Sequence, residues 1–308
     1  MTWVAWRQFR LQAAIATAAT VAVIVTLWAT RAHITNTDLD QLGTGYDTLK
    51  LLGTVLIGVP AAIGAFWGAP LLAREFEAGT YRFAWTQSVT PSRWLTIKLA
   101  VIAAATVAVT AAFSWAFTWW SLPFDAVGGR IGTATFGQRG ITPVAYAVFA
   151  LALGAFIGTV IRRTLPAMAT ALVVFFVTRF SVQLWIRPHL LPAQTITRPS
   201  AMFSGSASTT DGGTAWVLSS RTVDAAGRTF DPSSTSANNL LAQTCNLTRA
   251  SADRAWSACV DKAGIRDIIS VQPAKHFWAL QALESSIFIA LAIALVAATF
   301  WWLHHRTR

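Results

Sequence analysis

The sequence predicts an all-α polytopic membrane protein with six transmembrane helices and a small α/β extracytoplasmic domain between the fifth and sixth helices. Hydrophobic residues make up 54% of the 308 residues, charged residues make up only 12%, and the mean hydropathy is +0.50. Ordinary soluble domains carry about 25% charged residues. A chain this apolar is therefore expected to lie in the cell membrane.

Six apolar runs are each long enough to cross a bilayer, which takes roughly 20 residues of helix. They cover residues 11–29, 51–73, 99–120, 143–161, 165–186 and 277–303. The chain then divides into a membrane part at 1–186 with a charged loop at 74–98, an outer domain at 187–275, and a last helix with its tail at 276–308. The fourth run carries Gly154 and Gly158, a small-xxx-small pair that either packs against another helix or faces lipid.

Basic residues flank the six runs unequally, with ten on one side of the membrane and four on the other. The ten are Arg7, Arg10, Arg74, Arg82, Arg93, Lys98, Arg162, Arg163, Arg306 and Arg308, and the four are Arg31, Lys50, Arg130 and Arg139. Because cytoplasmic flanks carry the excess of Lys and Arg, both termini and the loop at 74–98 are predicted to be cytoplasmic. The formal net charge of +11 is attributed to topology and lipid anchoring, and no nucleic-acid partner is expected.

The loop at 74–98 is a charged and aromatic segment in an otherwise apolar chain. Its charged residues are Arg74, Glu75, Glu77, Arg82, Arg93 and Lys98, and its aromatic residues include Phe76, Tyr81, Phe83 and Trp85. Such a segment either lies along the membrane surface and offers its charged face to a soluble partner, or is a solvated turn between two helices. None of the four lysines follows a glycine, so the phosphate-binding pattern G-x-x-x-x-G-K-[ST] is absent from the sequence.

The region at 187–275, about 89 residues, is too long for a structureless loop and is predicted to form a small domain. Residues 214–230 fit a hairpin with its turn at 225–227, and residues 240–249 and 252–263 fit helices. Cys245 and Cys259 lie in this region. On the oxidising side of a membrane they are expected to form a disulfide; the alternative is two unpaired buried thiols.

Catalytic and metal-binding patterns are missing from the sequence. The five histidines include no H-E-x-x-H pair, no G-x-S-x-G elbow occurs, and the spacing of the two cysteines fits no common zinc site. We therefore expect no catalytic residue, no metal and no cofactor on this chain.

Two ionisable residues lie inside apolar runs at a similar distance from the outer surface. Arg179 precedes the end of the fifth run by seven residues, and Glu284 follows the start of the sixth run by seven, which is roughly 10 Å along a helix. A lone charge at that depth is costly, so the two are expected to pair, with Gln183 and Gln281 one turn or less away. The group is either an outer gate on a translocation path or a static ion pair between two helices.

The chain resembles the membrane subunit, or permease, of type-2 ATP-binding-cassette exporters, in particular a subset from actinobacteria. Three stretches carry the resemblance: PLLAREFEAGTYRFAWTQSVTPSRWLTIKL at 70–99, RFSVQLWIRPHLLPA at 179–193 and QPAKHFWALQALESSIFIAL at 272–291. The first matches the family pattern E-x-G-T, then T-Q-S/P-V, between the second and third helices. The long region at 187–275 departs from minimal members of the family.

The resemblance implies a coupling helix in the loop at 74–98 that docks on a separate ATPase chain, which supplies ATP and Mg. The positions it assigns to docking are Arg74, Glu75, Glu77, Gly79, Thr80 and Arg82. It likens residues 3–10 to an amphipathic connecting helix in contact with membrane lipid. It also implies a second permease copy, in a homodimer or a heterodimer, together with two ATPase subunits.

Two functions fit these expectations. The first is ATP-driven export of an amphipathic or hydrophobic compound, such as a drug, antibiotic or lipid, by alternating access. The alternative is a membrane sensor or immunity protein whose outer domain binds an antimicrobial while the ATPase signals. An ion-coupled carrier is disfavoured because Arg179 and Glu284 lie away from the membrane midplane, where such carriers bind.

Overall fold

The computed structural model describes residues 2–35, 53–54, 56–79, 90–125, 130–132, 135–199, 215–229 and 264–306. The chain divides into two compact units. The first, here called the helical unit, contains Met1–Phe124, Thr133–Arg187 and Trp278–Arg308. The second, here called the sheet unit, contains Asp125–Gly132 and Pro188–Phe277.

Six helices follow one another in the described chain. They are α1 (Thr2–Thr35), α2 (segments Gly58–Ile63, Gly64–Gly68 and Ala69–Glu77), α3 (Pro91–Ser121), α4 (Thr142–Ile161), α5 (Thr164–Ser181) and α6 (Phe277–Arg306). The middle segment of α2 is π-helical, and so is Val182–Ile186, which continues α5. Short 3₁₀ turns cover Leu122–Phe124, Phe136–Gln138, Arg187–His189 and Ala274–His276.

Four stretches of the described chain are helical, long and apolar enough to cross a membrane: Ser92–Phe124, Thr142–Ile161, Thr164–His189 and Ala274–His305. They confirm the third to sixth predicted runs. The first run lies within α1, where the apolar stretch Thr17–Arg31 of the described residues falls below the length of a span. The second run falls on the three segments of α2. The sequence therefore predicts six spans, and the described residues confirm four of them.

Helix α4 lies at the centre of the helical unit. Of its 18-residue apolar window 72% is buried, against 22–28% for the other three spans. Its hydrophobic residues surround the whole helix, a pattern that is typical of a fully buried position. Because α4 has no polar face, its neighbours must cover it on every side.

Small residues allow α2 and α4 to approach each other closely. A side chain at Gly154 would overlap the carbonyl oxygen of Gly64, and one at Gly158 would overlap that of Ala69. The predicted small-xxx-small pair therefore packs against a helix and not against lipid. This close contact packs α2 directly against the central helix α4.

Local signals end or begin several of these helices. The Thr90 hydroxyl accepts a hydrogen bond from the backbone N–H of Arg93 at 3.4 Å, and Pro91 occupies the first turn of α3. Gly79, with φ +68°, follows the end of α2 in a left-handed conformation. Arg162 adopts the same region, with φ 58°, at the end of α4. The very short link from α4 to α5 follows from that turn.

The described residues of the sheet unit form three antiparallel strands in the order β1-β3-β2: β1 (Gln194–Pro199), β2 (Trp216–Val223) and β3 (Arg266–Gln272). The central strand β3 aligns Ile269 with Ile196 of β1 and with Ser220 of β2. Pro199 ends the edge strand β1, where a missing N–H is tolerated.

The predicted hairpin at 214–230 is confirmed only in its first strand and turn. After the turn, a single bridge joins Val223 to Thr229, while the long ladder of β2 forms with β3, which the sequence analysis did not assign as a strand. The predicted helices at 240–249 and 252–263 lie outside the described residues, and so do Cys245 and Cys259.

Candidate functional site

The four residues expected to form the ion-pair group all lie inside the helical unit. Arg179 is 2% exposed, Gln183 is 8% exposed, and Gln281 and Glu284 are fully buried. Arg179 Nη1 lies 3.5 Å from Glu284 Oε1. The two charges, predicted to lie at a similar depth, are thus near each other in the structure. The distance between them is long for a hydrogen bond.

The stronger partner of Glu284 is Arg187, which sequence reasoning left in the outer region. Arg187 donates from Nε to Oε2 at 2.6 Å and from Nη2 to Oε1 at 2.8 Å, and both side chains are fully buried. This bidentate geometry is the strongest form of an arginine–carboxylate contact. Arg187, together with Arg179, therefore holds the end of α5 against α6.

The π-helical segment Val182–Ile186 brings the two arginines onto one face. Residues eight apart on a regular helix differ by about 80° around the axis, whereas residues seven apart differ by about 20°. A π turn takes up one additional residue and so moves Arg187 toward the seven-residue position. Sequence reasoning missed Arg187 because a regular helix would place it about 80° around the axis from Arg179.

Tyr146 of α4 completes the group. Its hydroxyl donates to Glu284 Oε1 at 2.5 Å, and its ring lies 4.2 Å beneath the Arg179 guanidinium. Phe288 packs edge-on against the same ring at 4.7 Å. Three helices therefore meet at one buried carboxylate.

Gln281, three residues before Glu284, caps the start of α4. Its Oε1 accepts from the backbone N–H groups of Ile141 and Thr142 at 3.0 Å each, and its Nε2 donates to Phe136 O at 2.9 Å. The first N–H groups of a helix have no partner within the helix. Gln281 of α6 supplies an acceptor for two of these N–H groups, so it stabilises the start of α4.

The four described residues assigned to ATPase docking, at 74, 75, 77 and 79, lie near the opposite end of α5. Arg74 is exposed, while Glu75 forms an ion pair with Lys98 of α3, whose ammonium lies 4.7 Å from the Trp94 ring. Gly79 forms the left-handed end of α2. Thr80 and Arg82 lie outside the described residues.

Glu77 connects the end of α2 to the start of α5. Its Oε2 accepts hydrogen bonds from the Thr164 hydroxyl at 2.6 Å and from the Thr164 backbone N–H at 3.0 Å. These two bonds, with the positive charge of Arg163 as a smaller cause, lower the pKa of Glu77 below its ordinary value. Both acids of the docking set are thus engaged within the chain, and docking itself remains a prediction.

A metal ion would need several oxygen, nitrogen or sulfur ligands close together. Among the residues that the structure describes, no group of three or more His, Cys, Asp or Glu side chains has that arrangement. Arginine, tyrosine and amide side chains dominate the buried cluster instead. Such groups recognise anions and hydrogen-bond acceptors.

One comparison with known proteins gives a match. A family model described as "ABC-2 membrane transporter related" matches residues 1–187, more than half of the chain. No curated protein and no solved structure matches the chain. The matched range includes the loop at 74–98, Tyr146, Arg179 and Arg187, and it ends before Gln281 and Glu284.

Proposed function

We propose, on the premise that the chain belongs to the ABC-2 membrane transporter related family, that it is the permease of an ATP-driven exporter. The chain is a multi-pass membrane component of a transporter, and the family implies an ABC ATPase as its partner. The proposed cargo is an amphipathic or hydrophobic compound that moves outward by alternating access. The family match over 1–187 is the observation that carries this proposal.

The proposed assembly contains two permease copies and two ATPase subunits. The chain lacks the phosphate-binding pattern, so the ATP and Mg sites belong to the partner. The termini and the loop at 74–98 are proposed to face the cytoplasm, where the partner binds. A second copy is expected because six helices supply half of a translocation path.

The contacts at the end of α2 explain how movement of the ATPase could reach other helices. Glu75 connects this end to α3 through Lys98, and Glu77 connects it to α5 through Thr164. A push on the loop at 74–98 therefore moves α2, α3 and α5 together. Arg74, which precedes both anchors, is exposed, and its side chain forms no hydrogen bond or ion pair with the residues that the structure describes.

The test uses tagged permease purified from membranes of its own host. Wild type should carry an ATPase subunit, and inside-out vesicles should accumulate a fluorescent amphipathic probe when Mg-ATP is added. Arg74→Glu should lose both the co-purified ATPase and the accumulation, because it reverses the charge of an exposed residue on the proposed docking surface. Arg221→Glu, which makes the same charge change at an exposed position of the sheet unit, serves as the matched control.

Two outcomes contradict parts of this proposal. If the Arg74→Glu permease still co-purifies with the ATPase at full stoichiometry, Arg74 is not part of the docking surface. An ATPase that stays bound, hydrolyses ATP in response to an antimicrobial peptide and drives no accumulation favours the sensor alternative. The separate sheet unit is the feature that would bind the peptide in that case.

A further inference from the structure

An apolar groove follows the central helix α4 and is lined on its two sides by α3 and α6. It consists of two cavities of about 480 and 520 Å³ that share Ile289 of α6 as a lining residue. Each helix contributes one face, because its lining residues recur at intervals of three or four positions. None of the described residues that line either cavity is ionisable. On α4 the lining residues are Val144, Ala145, Val148, Leu151 and Ala152.

The groove lies along membrane-spanning helices. On α6 its lining extends from Trp278 to Phe300, which is about 33 Å of helix and close to the thickness of the hydrocarbon core of a bilayer. The groove is open at its rim, where Trp115 of α3 and Trp278 and Ile293 of α6 are exposed. The molecules that can enter it from the side are therefore those of the bilayer.

One hydroxyl group in the groove has no partner. Ser285 of α6 lines the larger cavity and is 8% exposed, and its Oγ makes no hydrogen bond with any residue that the structure describes. The other two hydroxyl groups that line this cavity are engaged, since Ser114 donates to Gly140 O at 2.6 Å and Thr118 accepts from Gly140 N–H at 3.1 Å. A buried hydroxyl without a partner costs free energy. Ser285 therefore indicates a ligand that carries a hydrogen-bonding atom.

Two other occupants suit the Ser285 hydroxyl less well. A buried water molecule needs about two to four polar partners, whereas apolar side chains such as those of Val144, Ala145 and Ile289 line the same cavity. A transmembrane helix of a second permease copy satisfies its backbone hydrogen bonds internally. Such a helix would fill the groove and leave Ser285 without a backbone partner.

We propose that the groove binds the acyl chain of a bilayer lipid, whose ester carbonyl accepts a hydrogen bond from the Ser285 hydroxyl. In an acyl lipid the ester lies between the polar head and the apolar chain, and Ser285 occupies the corresponding position in the groove. Toward one end are the rings of Trp115 and Trp278, a residue type that is enriched at membrane–water interfaces. Toward the other end, α6 lines the groove with apolar side chains from Ile289 to Phe300.

The test uses the full-length permease in nanodiscs of a diether phosphatidylcholine, whose chains carry no ester carbonyl. The probe is monopalmitoylglycerol with a photoreactive diazirine near the end of its chain, and the reference is its ether analogue, monohexadecylglycerol, with the same diazirine. Peptide mass spectrometry locates the cross-links. At groove positions such as Ala100 and Ala297, the ester probe should label about threefold more than the ether probe, because the two differ by one hydrogen bond. No ATP or ATPase is present, so the outcome does not depend on the proposed export function.

Two pairs of variants on α6 separate the groove from the neighbouring surface. Ser285→Ala should lower the labelling by the ester probe to that by the ether probe. Ser286→Ala, an exposed neighbour whose hydroxyl bonds Leu283 O, should leave it unchanged. Ala297→Phe fills the groove and should lower the labelling by both probes about threefold or more. Ala294→Phe, at an exposed position that lines neither cavity, should not lower it.

Three results would overturn the proposal. The first is equal labelling of the wild-type groove by the two probes, and the second is an ester preference that persists in Ser285→Ala. The third is a wild-type dimer that Ala297→Phe, but not Ala294→Phe, converts into monomers in native mass spectrometry, since a second copy then occupies the groove. Ser285→Ala and Ala297→Phe test the site independently, so either one decides the question if the other does not fold.

Discussion

Helix α5 receives a carboxylate from another helix at each of its ends, and the two ends differ. At the start of α5, Glu77 of α2 accepts from the hydroxyl and the backbone N–H of Thr164. Near the far end, Glu284 of α6 accepts from Arg187 and Tyr146 and lies near Arg179. About 22 Å of helix separates Thr164 from Arg179.

Burial makes the difference between the two carboxylates. Glu77 is exposed, so water replaces its contacts at little cost when they break. Glu284 has no exposure, and its partners would be left as charged groups in an apolar interior. The first end of α5 can therefore move during a transport cycle, whereas the second end is expected to stay fixed to α6.

The largest expected effect is that of Glu284→Gln. This change leaves two buried guanidinium groups without a carboxylate, and breaking a buried ion pair costs about 3–5 kcal/mol. Thermal unfolding of the purified permease in detergent should show a large fall in melting temperature. Glu284→Asp, which keeps the charge on a shorter side chain, should lower the melting temperature less.

A double-mutant cycle at this end ranks the two arginines. The coupling energy of Glu284 with Arg187 should exceed that with Arg179, because the first pair makes two short bonds and the second lies at 3.5 Å. Exchanging the charges of Arg179 and Glu284 should not restore stability, since Arg187 would then face an arginine. Restoration by that exchange would make Arg179 the main partner and contradict this ranking.

The next effect in size is expected for Gln281→Leu. The change removes the acceptor for the N–H groups of Ile141 and Thr142 and the donor to Phe136 O. Buried groups left without partners cost about 1–3 kcal/mol. The melting temperature should fall by less than for Glu284→Gln.

Ser286→Ala on the same helix is the matched control for Gln281→Leu. Its hydroxyl is exposed and, among the described residues, bonds Leu283 O alone, so the free energy of unfolding should change by no more than about 0.5 kcal/mol. An equal loss for both variants would mean that Gln281 does not support the start of α4.

The sequence predicted the apolar helices better than the contacts between them. The third to sixth runs depend on length and hydropathy, which are properties of a continuous stretch, and the structure has all four as spans. Strand β3 was missed although Ile268, Ile269 and Val271 favour a strand between Gly264 and Pro273. Its paired residues lie between 43 (Val223 with Arg266) and 77 (Gln194 with Val271) positions away in the chain, and a local pattern does not reveal them.

The same limit explains what was missed in the site. Arg179 and Glu284 stand out because each is a charge inside an apolar run, and their depths could be compared. Arg187 and Tyr146 do not stand out, since one follows the run and the other is an ordinary aromatic residue of α4. The π-helical turn at Val182–Ile186 brings Arg187 to Glu284, and the sequence of that turn does not predict a π-helix.

The smallest expected effect is the dependence on pH at the Glu77 end. The hydrogen bonds from Thr164 lower the pKa of Glu77 below its ordinary value of 4.5. A carboxylate with a lowered pKa in the folded state stabilises the fold above its unfolded pKa, and this stabilisation disappears as the pH falls through the folded pKa. The melting temperature of wild type should therefore exceed that of Glu77→Gln at pH 7, and the difference should shrink as the medium is acidified below pH 4.5. Thr164→Val keeps the backbone N–H and loses the hydroxyl, so it should retain part of this pH-dependent difference in melting temperature. A difference between wild type and Glu77→Gln that does not change with pH would show that Glu77 does not hold α5 by its charge.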